Sequence, residues 1–293
     1  METTSHITVL INEAVDALQV QPSCWYIDAT LGGGGHTKQI RARGGYVIAL
    51  DQDLEVISRM KEEFSKDPSV HIHHANFENL AQIVASEHVV ISGVLFDLGL
   101  SSDQLADESR GFSTKSHGSL DMRMNITNKV TAMDLLHGLT ELELTRLLAV
   151  YGEVYLPRRV AHAICVAREN GSLQSAKDLT DVVVRSYGHR WTRSVSAATQ
   201  VFQALRIAVN DELEALKSGL FHASKVLTPN GRIVVISFHS LEDRIVKQYF
   251  NDRQDLSVVT KKAIVPSVEE IEKNPRAHSA KMRVSQKMCA QKI

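Results

Sequence analysis

Three acids each close an apolar run in the first hundred residues. Asp28 follows Trp25-Tyr-Ile, Asp51 follows Tyr46-Val-Ile-Ala-Leu, and Asp97 follows Val94-Leu-Phe. Four glycines, Gly32 to Gly35, come just after the first acid, and His36 opens a helix-compatible stretch to Arg43. An unpaired carboxylate in an apolar core is costly, so acids at these places point to a ligand rather than to packing. Strand, glycine loop, helix is how an open α/β sheet binds a nucleoside-containing cofactor at the carboxyl ends of its strands. Asp51 stands at about the distance where a ribose hydroxyl would sit.

The glycine spacing narrows the cofactor. A dinucleotide fingerprint needs G-x-G-x-x-G, the third glycine allowing close helix–strand packing. Counting from Gly32, Gly34 fits but Thr37 takes the third place; counting from Gly33, Gly35 fits but Lys38 fails. The phosphate-loop pattern G-x-x-x-x-G-K-[ST] is absent as well. A glycine loop between two acids suits S-adenosylmethionine. Gly34 and Gly35 would let the backbone approach it, because no Cβ intervenes. Asp51 would accept from the ribose hydroxyls, and Asp28 would support the loop or attract the cofactor's positive end. Phe77, in Ala75-Asn-Phe-Glu78, packs beside an adenine or serves as a core aromatic. The plain alternative is a glycine turn between two core strands; the flanking acids weigh against it.

Two further strand ends carry polar groups. Asp97 precedes Leu98-Gly-Leu-Ser-Ser102. Ser237-Phe-His-Ser-Leu-Glu-Asp-Arg244 crosses from a strand into a helix, with Ser240 and Asp243 spaced as a capping pair and His239 beside them.

These groups need a sheet to position them. Residues 24–30, 46–51, 70–75 and 90–98 read as strands, and 36–43, 53–64 and 78–86 as helices. That alternation implies a parallel sheet with right-handed crossovers. Residues 100–125, rich in Ser, Asp and Gly, read as a loop, and 131–227 as helices almost throughout. Leu142, Leu144, Leu147, Leu148 and Tyr151 are spaced for one helix face. Pro157 suits a first helical turn, and Gly171 and Gly188 suit helix stops. A helix from Asp211 to Val226 ends at the turn Pro229-Asn-Gly231. A strand 232–239, a helix 241–250 and strands 256–264 and 282–288 close the chain. The expected architecture is α/β, a Rossmann-like S-adenosylmethionine-dependent methyltransferase sheet with an inserted all-helical subdomain. Its parts are residues 1–107, an insert 108–208, and the remainder 209–293.

Composition agrees with one globular enzyme. The chain has 293 residues, 43% of them apolar, and a net charge of −1. No run of about 18 apolar residues marks a membrane span, and the opening Met-Glu-Thr-Thr-Ser-His lacks the features of a secretory signal. Cys24, Cys165 and Cys289 are too scattered for a disulfide framework or a metal site, and a reducing cytoplasm is the expected home. Charge is locally uneven. From Lys273 onward come Lys273, Arg276, Lys281, Arg283, Lys287 and Lys292 with no acid, and from Arg158 to Arg206 eight Lys/Arg face three Asp/Glu. Such clusters make a phosphate-binding face, or else a solvated helix face and a frayed tail.

At this point the motifs, taken in order, resemble the bacterial ribosomal RNA small subunit methyltransferase H family. They are His6-Ile-Thr-Val-Leu10 with Glu13-Ala-Val15, Asp28 to His36, Asp97 to Ser102, Gln104-Leu105, Arg110-Gly-Phe-Ser113 and Leu120-Asp-Met-Arg-Met124. Tyr151-Gly-Glu153, Phe202 to Ile207, Asn210-Asp-Glu-Leu213, Ser237 to Arg244 and Asn274-Pro-Arg-Ala277 complete the set. The resemblance implies methylation of the exocyclic N4 of a cytidine in the decoding region of 16S ribosomal RNA, within the small ribosomal subunit. It implies cofactor contacts from Gly34, Gly35, His36, Asp51, Phe77, Asp97 and Gln104, and no metal. His36 and Gln104 rest on the resemblance alone. Three places depart from the family pattern: His117-Gly-Ser119 stands for Asp-Gly-Pro, and Gln200 and His278 each stand for an arginine.

N4 methylation needs no covalent intermediate, because the amine attacks a sulfonium methyl in line and positioning supplies much of the rate. Methylation at carbon-5 would need a cysteine nucleophile, and no cysteine sits at a strand end with a supporting motif. Asp97, or a backbone carbonyl near Leu98, would accept an amine hydrogen. Phe112 and Phe238 are the aromatic candidates for stacking on the base. An N6-adenine or protein methyltransferase, and a binding module with a cofactor-sensing pocket, are the other readings. Monomer and homodimer both remain open.

Overall fold

The computed structural model describes residues 8–188 and 191–289. His6 and Ile7 of the opening motif, Arg190 and Lys292 lie outside the described residues, as does the Arg193 side chain. The sheet side opens with α1 (Ile11–Leu18), β1 (Trp25–Asp28), α2 (Gly35–Ala42), β2 (Tyr46–Asp51), α3 (Leu54–Glu63), β3 (Val70–His74), α4 (Leu80–Glu87) and β4 (Ile91–Asp97). Helices α5 (Ser102–Ala106), α6 (Ala132–Gly138), α7 (Glu141–Gly152), α8 (Pro157–Glu169), α9 (Ala176–Tyr187) and α10 (Trp191–Asn210) follow. The sheet side resumes with α11 (Glu212–Val226), β5 (Leu227–Ser237), α12 (Ser240–Asp252), β6 (Leu256–Val258), α13 (Val268–Lys273) and β7 (Lys281–Lys287).

The seven strands run in the order β3-β2-β1-β4-β5-β7-β6. β1 to β5 are parallel, and β7 is antiparallel to both β5 and β6. Sequence order reverses at β1, which pairs with β2 on one side and β4 on the other. Strands covered on both faces read as continuous apolar runs, and side chains alternate between the faces. Tyr26, Val47, Ala49, Leu95, Val234 and Ile236 line one core. Ile27, Ile48, Leu50, Val94, Phe96 and Val235 line the other. This is the expected α/β Rossmann-like sheet.

Some boundaries differ from the sequence reading. The chain divides into Met1–Gly99 with Leu213–Ile293, and Leu100–Glu212, whereas an insert of 108–208 was expected. Leu100 and Leu105 pack on the helical core, so the chain leaves the sheet at Gly99, whose φ is +99°. At the other end Asn210 and Glu212 are tied into the helical unit. The Asn210 amide donates to Met122 O and accepts from Met124 N, both at 2.7 Å, and Arg206 forks onto Glu212. The turn around Pro229-Asn-Gly231 is a bulge inside β5 rather than its start: Ile91 pairs with Leu227, but Gly93 already pairs with Arg232. β6 stops at Val258, and Ile264 rejoins the sheet only through an isolated bridge to Met282. α1 and α13 were not foreseen; they span 8 and 6 residues and give little periodicity to read.

The helical unit has its own core. Leu144 and Leu148 of α7 meet Val160 and Ile164 of α8, Leu179 and Val183 of α9, and Val201 and Leu205 of α10. Leu142 is exposed, not part of that face, because two residues of helix rotate it some 200° from Leu144. Pro157 is the first residue of α8, and Gly188 caps α9 with φ +60°. The loop 100–125 is only partly a loop: it holds α5 and a 3₁₀ turn, Glu108–Arg110. Among the described residues no helix is long and apolar enough to cross a membrane.

Candidate active site

The carboxyl ends of β1, β2 and β4 place Asp28, Asp51 and Asp97 side by side. Asp28 is fully buried. Its Oδ2 accepts from the Thr37 hydroxyl at 2.7 Å, and its Oδ1 from Thr30 N at 3.3 Å. Thr37 occupies the place where a dinucleotide site has its third glycine, and here its hydroxyl locks α2 onto the end of β1. Asp28 therefore supports the loop, one of the two roles open to it in the sequence.

The Asp51 carboxylate is held by two backbone donors, Gly32 N to Oδ2 and Asp53 N to Oδ1, both at 2.9 Å. Asp53 then caps α3 by accepting from Glu55 N. Gly34 is the N-cap of α2, with φ +73° and no side-chain cap. That left-handed backbone favours glycine. A Cβ at Gly34 would come within 3.0 Å of the Met60 sulfur, and one at Gly35 would run into the Thr8 hydroxyl. The first N–H groups of α2 thus sit in a bare, closely covered backbone cradle.

Asp97 ends β4 with its N–H donating to the Thr30 hydroxyl at 2.7 Å. Its Oδ1 is buried and has no hydrogen-bond partner among the described residues. Its Oδ2 lies 3.7 Å from Nδ1 of His36, which is buried in the first turn of α2. Phe77, half-buried, meets Phe96 edge-on with centroids 5.5 Å apart, and its ring borders Gly219. It is both a core contact and a surface at the end of β3. The sequence had left those two readings open.

Burial dominates the electrostatics. It pushes the Asp28 carboxyl up to about 7, against the Thr37 and Thr30 hydrogen bonds, and Asp51 up to about 6, against its backbone donors. Burial raises Asp97 well above the ordinary carboxyl value, and the charges of Asp28 and Glu242 push it further. A cluster of like-charged acids in low dielectric is stabilised by a cation. S-Adenosylmethionine brings a sulfonium and an ammonium. The cluster of buried acids, the bare glycine cradle and Asp51 beside the loop fit that group.

The turn after β5 differs from the expected capping pair. His239, not Ser240, is the N-cap of α12, and its partner is Glu242 rather than Asp243. Glu242 N donates to His239 Nδ1 at 3.3 Å, while Glu242 Oε2 accepts from Phe238 N at 2.8 Å and His239 N at 3.2 Å. Asp243 is instead engaged by the Arg283 fork. Phe238, partly buried, lies 3.5 Å from where a Cβ at Gly99 would be.

Other sequence candidates lie on other elements. Gln104 belongs to the helical unit, where its Oε1 accepts from Ser101 N and its own N–H donates to the Ser101 hydroxyl, a capping box at α5. Phe112 is buried in the helical core under Arg110, whose guanidinium lies 5.8 Å from the ring centre. It is therefore unable to stack on a base without unpacking that core. Cys24 precedes the amino end of β1, Cys165 is in α8, and Cys289 follows β7. Among the described residues of the basic tail, the β7 part is a sheet strand, Arg283 pairs with Asp243 and Lys287 with Asp255, while Lys273 and Arg276 are exposed. In the helical unit Arg168 caps carbonyls of Leu136 and Leu139, Lys177 pairs with Asp181, and Arg206 pairs with Glu212. Arg158, Arg159 and Arg185 are exposed. Gln200, at one of the departures, donates to Glu153 O.

Comparison with known proteins gives this geometry its context. The chain is 41% identical over 306 residues to ribosomal RNA small subunit methyltransferase H of Carboxydothermus hydrogenoformans, covering 97% of this chain and 98% of the relative. It is 41% identical over 289 residues to the protein of the same name from Deinococcus radiodurans, covering 98% and 91%. Residues 3–288 match the MraW methylase family. The chain belongs to the MraW methylase family and is an S-adenosylmethionine-dependent methyltransferase.

Proposed function

We propose that this chain methylates the exocyclic N4 of a cytidine in the decoding region of 16S ribosomal RNA, acting on the small ribosomal subunit. The relatives' name supports a ribosomal RNA substrate. The observation that carries the choice of an amine is Asp97 Oδ1 at the end of β4, a buried acceptor without a hydrogen-bond partner among the described residues. An exocyclic amine is a donor that such an atom satisfies.

In this reading Gly34, Gly35 and His36 shape the cofactor cradle. Asp51 accepts from the ribose hydroxyls and Phe77 borders the adenine. When bound, S-adenosylmethionine supplies an electrophilic methyl group on a sulfonium sulfur. Asp97 accepts an amine hydrogen, aims the nitrogen lone pair, and receives the proton that the nitrogen gives up as it gains carbon. Burial raises the Asp97 carboxyl well above its ordinary value, which makes the carboxylate the stronger base that this task needs, and a sulfonium beside it would favour the ionised form. No cysteine lies near Asp97 in the sheet unit's strand ends, which agrees with direct transfer. A single-stranded cytidine reaches such a site without the cost of unpairing a duplex. Arg158, Arg159 and Arg185 of the helical unit would hold the RNA backbone.

The test is transfer of labelled methyl from S-adenosylmethionine to small subunits lacking the mark, with wild type and Asp97→Ala. Wild type is expected to label the RNA. The variant is expected to bind S-adenosylhomocysteine and to lose turnover by about 100-fold or more. Normal turnover in Asp97→Ala sinks the assignment.

A further inference from the structure

His239 is left without a task by the cofactor site, and its environment gives it one. Its side chain is 8% exposed, at the carboxyl end of β5, which pairs in parallel with β4 so that Asp97 faces Ile236. Leu98 N donates to Ile236 O at 3.0 Å, extending that pairing past Asp97. The His239 ring is fixed by the start of α12. Nδ1 accepts from the backbone N–H of Glu242, so its lone pair is in use and the hydrogen of the neutral ring is on Nε2. That Nε2 is buried and makes no hydrogen bond among the described residues. Glu242 Oε1 is 3.1 Å away, but off the line of the N–H bond. Glu242 is itself fixed by Phe238 N and His239 N, and it is near enough to Asp97 for its charge to act there.

The sheet unit thus holds two complementary groups at neighbouring strand ends: a buried acceptor, Asp97 Oδ1, and a buried ring N–H donor of fixed tautomer, His239 Nε2. A cytosine edge presents an amine donor beside the acceptors N3 and O2, whereas uracil has a carbonyl and an N3–H in the first two places. Enzymes that act on an extruded base read it through that edge.

We propose that His239 is a specificity-determining residue that donates its Nε2–H to the acceptor edge of the target cytosine while Asp97 takes the amine. This rests on the cytidine reading above. The donor places the ring so that its amine meets the methyl group, so its loss is read in kcat more than in KM for the subunit, whose binding comes largely from backbone contacts.

The test uses His239→Asn. Asparagine is among the best N-cap residues, so Glu242 N–H keeps an acceptor while the donor at the Nε2 position is withdrawn. The expected result is an unchanged thermal midpoint and S-adenosylhomocysteine affinity, a little-changed KM for subunits, and a kcat lowered by about 100-fold. If the asparagine variant loses thermal stability, His239→Ser, which also caps, takes its place with the same expectations. Wild-type kcat in a folded variant overturns the role of His239 and leaves the cytidine reading standing. Failure of the wild type to form N4-methylcytidine overturns both.

Discussion

The N–H of Gly32 donates to the Asp51 carboxylate at 2.9 Å, so the glycine loop after β1 and the acid after β2 form one rigid piece. The acid that would meet the ribose is also the acid that shapes the loop under the methionine end. Its removal should therefore weaken the whole cofactor. Asp51→Ala is expected to lower affinity for S-adenosylhomocysteine by about 10- to 100-fold, the range for lost hydrogen bonds to a charged group. Titration calorimetry measures it; an unchanged Kd would separate the loop from the ribose site.

The buried acids set opposite pH dependences for stability and for binding. Asp28 titrates at about 7 in the folded chain against an ordinary value of 3.8, and Asp51 at about 6. The folded chain therefore holds more protons than the unfolded chain across that window. The stability these groups contribute is full below 3.8 and is lost as pH rises through about 6 and about 7. Without cofactor, the thermal midpoint should fall on going from about pH 5 to about pH 8, and Asp28→Asn should flatten that fall. Affinity for cationic S-adenosylmethionine should rise over the same window, and more steeply than for S-adenosylhomocysteine, which lacks the sulfonium. Parallel pH profiles for the two ligands would remove the electrostatic role.

Gly219 of α11 leaves room for the Phe77 ring. A Cβ there would lie 2.8 Å from Phe77 and 3.2 Å from Phe96. Gly219→Ala is expected to cost about 1–3 kcal/mol of stability through overpacking and to displace Phe77 from the end of β3. Urea unfolding together with cofactor titration checks both effects. A destabilised variant with wild-type cofactor affinity would confine Phe77 to the core.

Arg158 and Arg159 at the start of α8 are exposed, whereas Arg168, Lys177 and Arg206 are engaged within the helical unit. The double change Arg158→Ala/Arg159→Ala should weaken binding to subunit RNA and lower the slope of log K against log salt by about 1.4 to 1.8. Filter binding at several salt concentrations measures this. An unchanged slope would place the RNA elsewhere.

The sheet and its acids were legible because burial on both faces writes strands as apolar runs and an acid after such a run stands out. Asp28, Asp51, Asp97 and the glycine loop needed nothing else. Four things were not legible. The Thr37–Asp28 hydrogen bond is a contact between residues nine apart, across the loop, which spacing does not disclose. The capping pair after β5 is one residue earlier than the Ser240–Asp243 spacing suggested, because an imidazole nitrogen replaces the usual hydroxyl at the N-cap. Phe112 looked available in a loop rich in small polar residues, yet Arg110 and the helical core enclose it. The antiparallel β7 between β5 and β6 is likewise a matter of pairing, which a short strand's sequence does not fix. Gln104 and His36 were noticed only through family resemblance, since neither ends an apolar run.

The most direct measurement is the identity of the nucleoside that gains the methyl group. Purified protein would be incubated with labelled S-adenosylmethionine and small ribosomal subunits lacking the modification, and the RNA digested to nucleosides for mass spectrometry. N4-methylcytidine at one decoding-region position is the expected product. Label in 5-methylcytidine, in N6-methyladenosine or in ribosomal protein, with none in N4-methylcytidine, would contradict the assignment of Asp97 to an exocyclic cytidine amine.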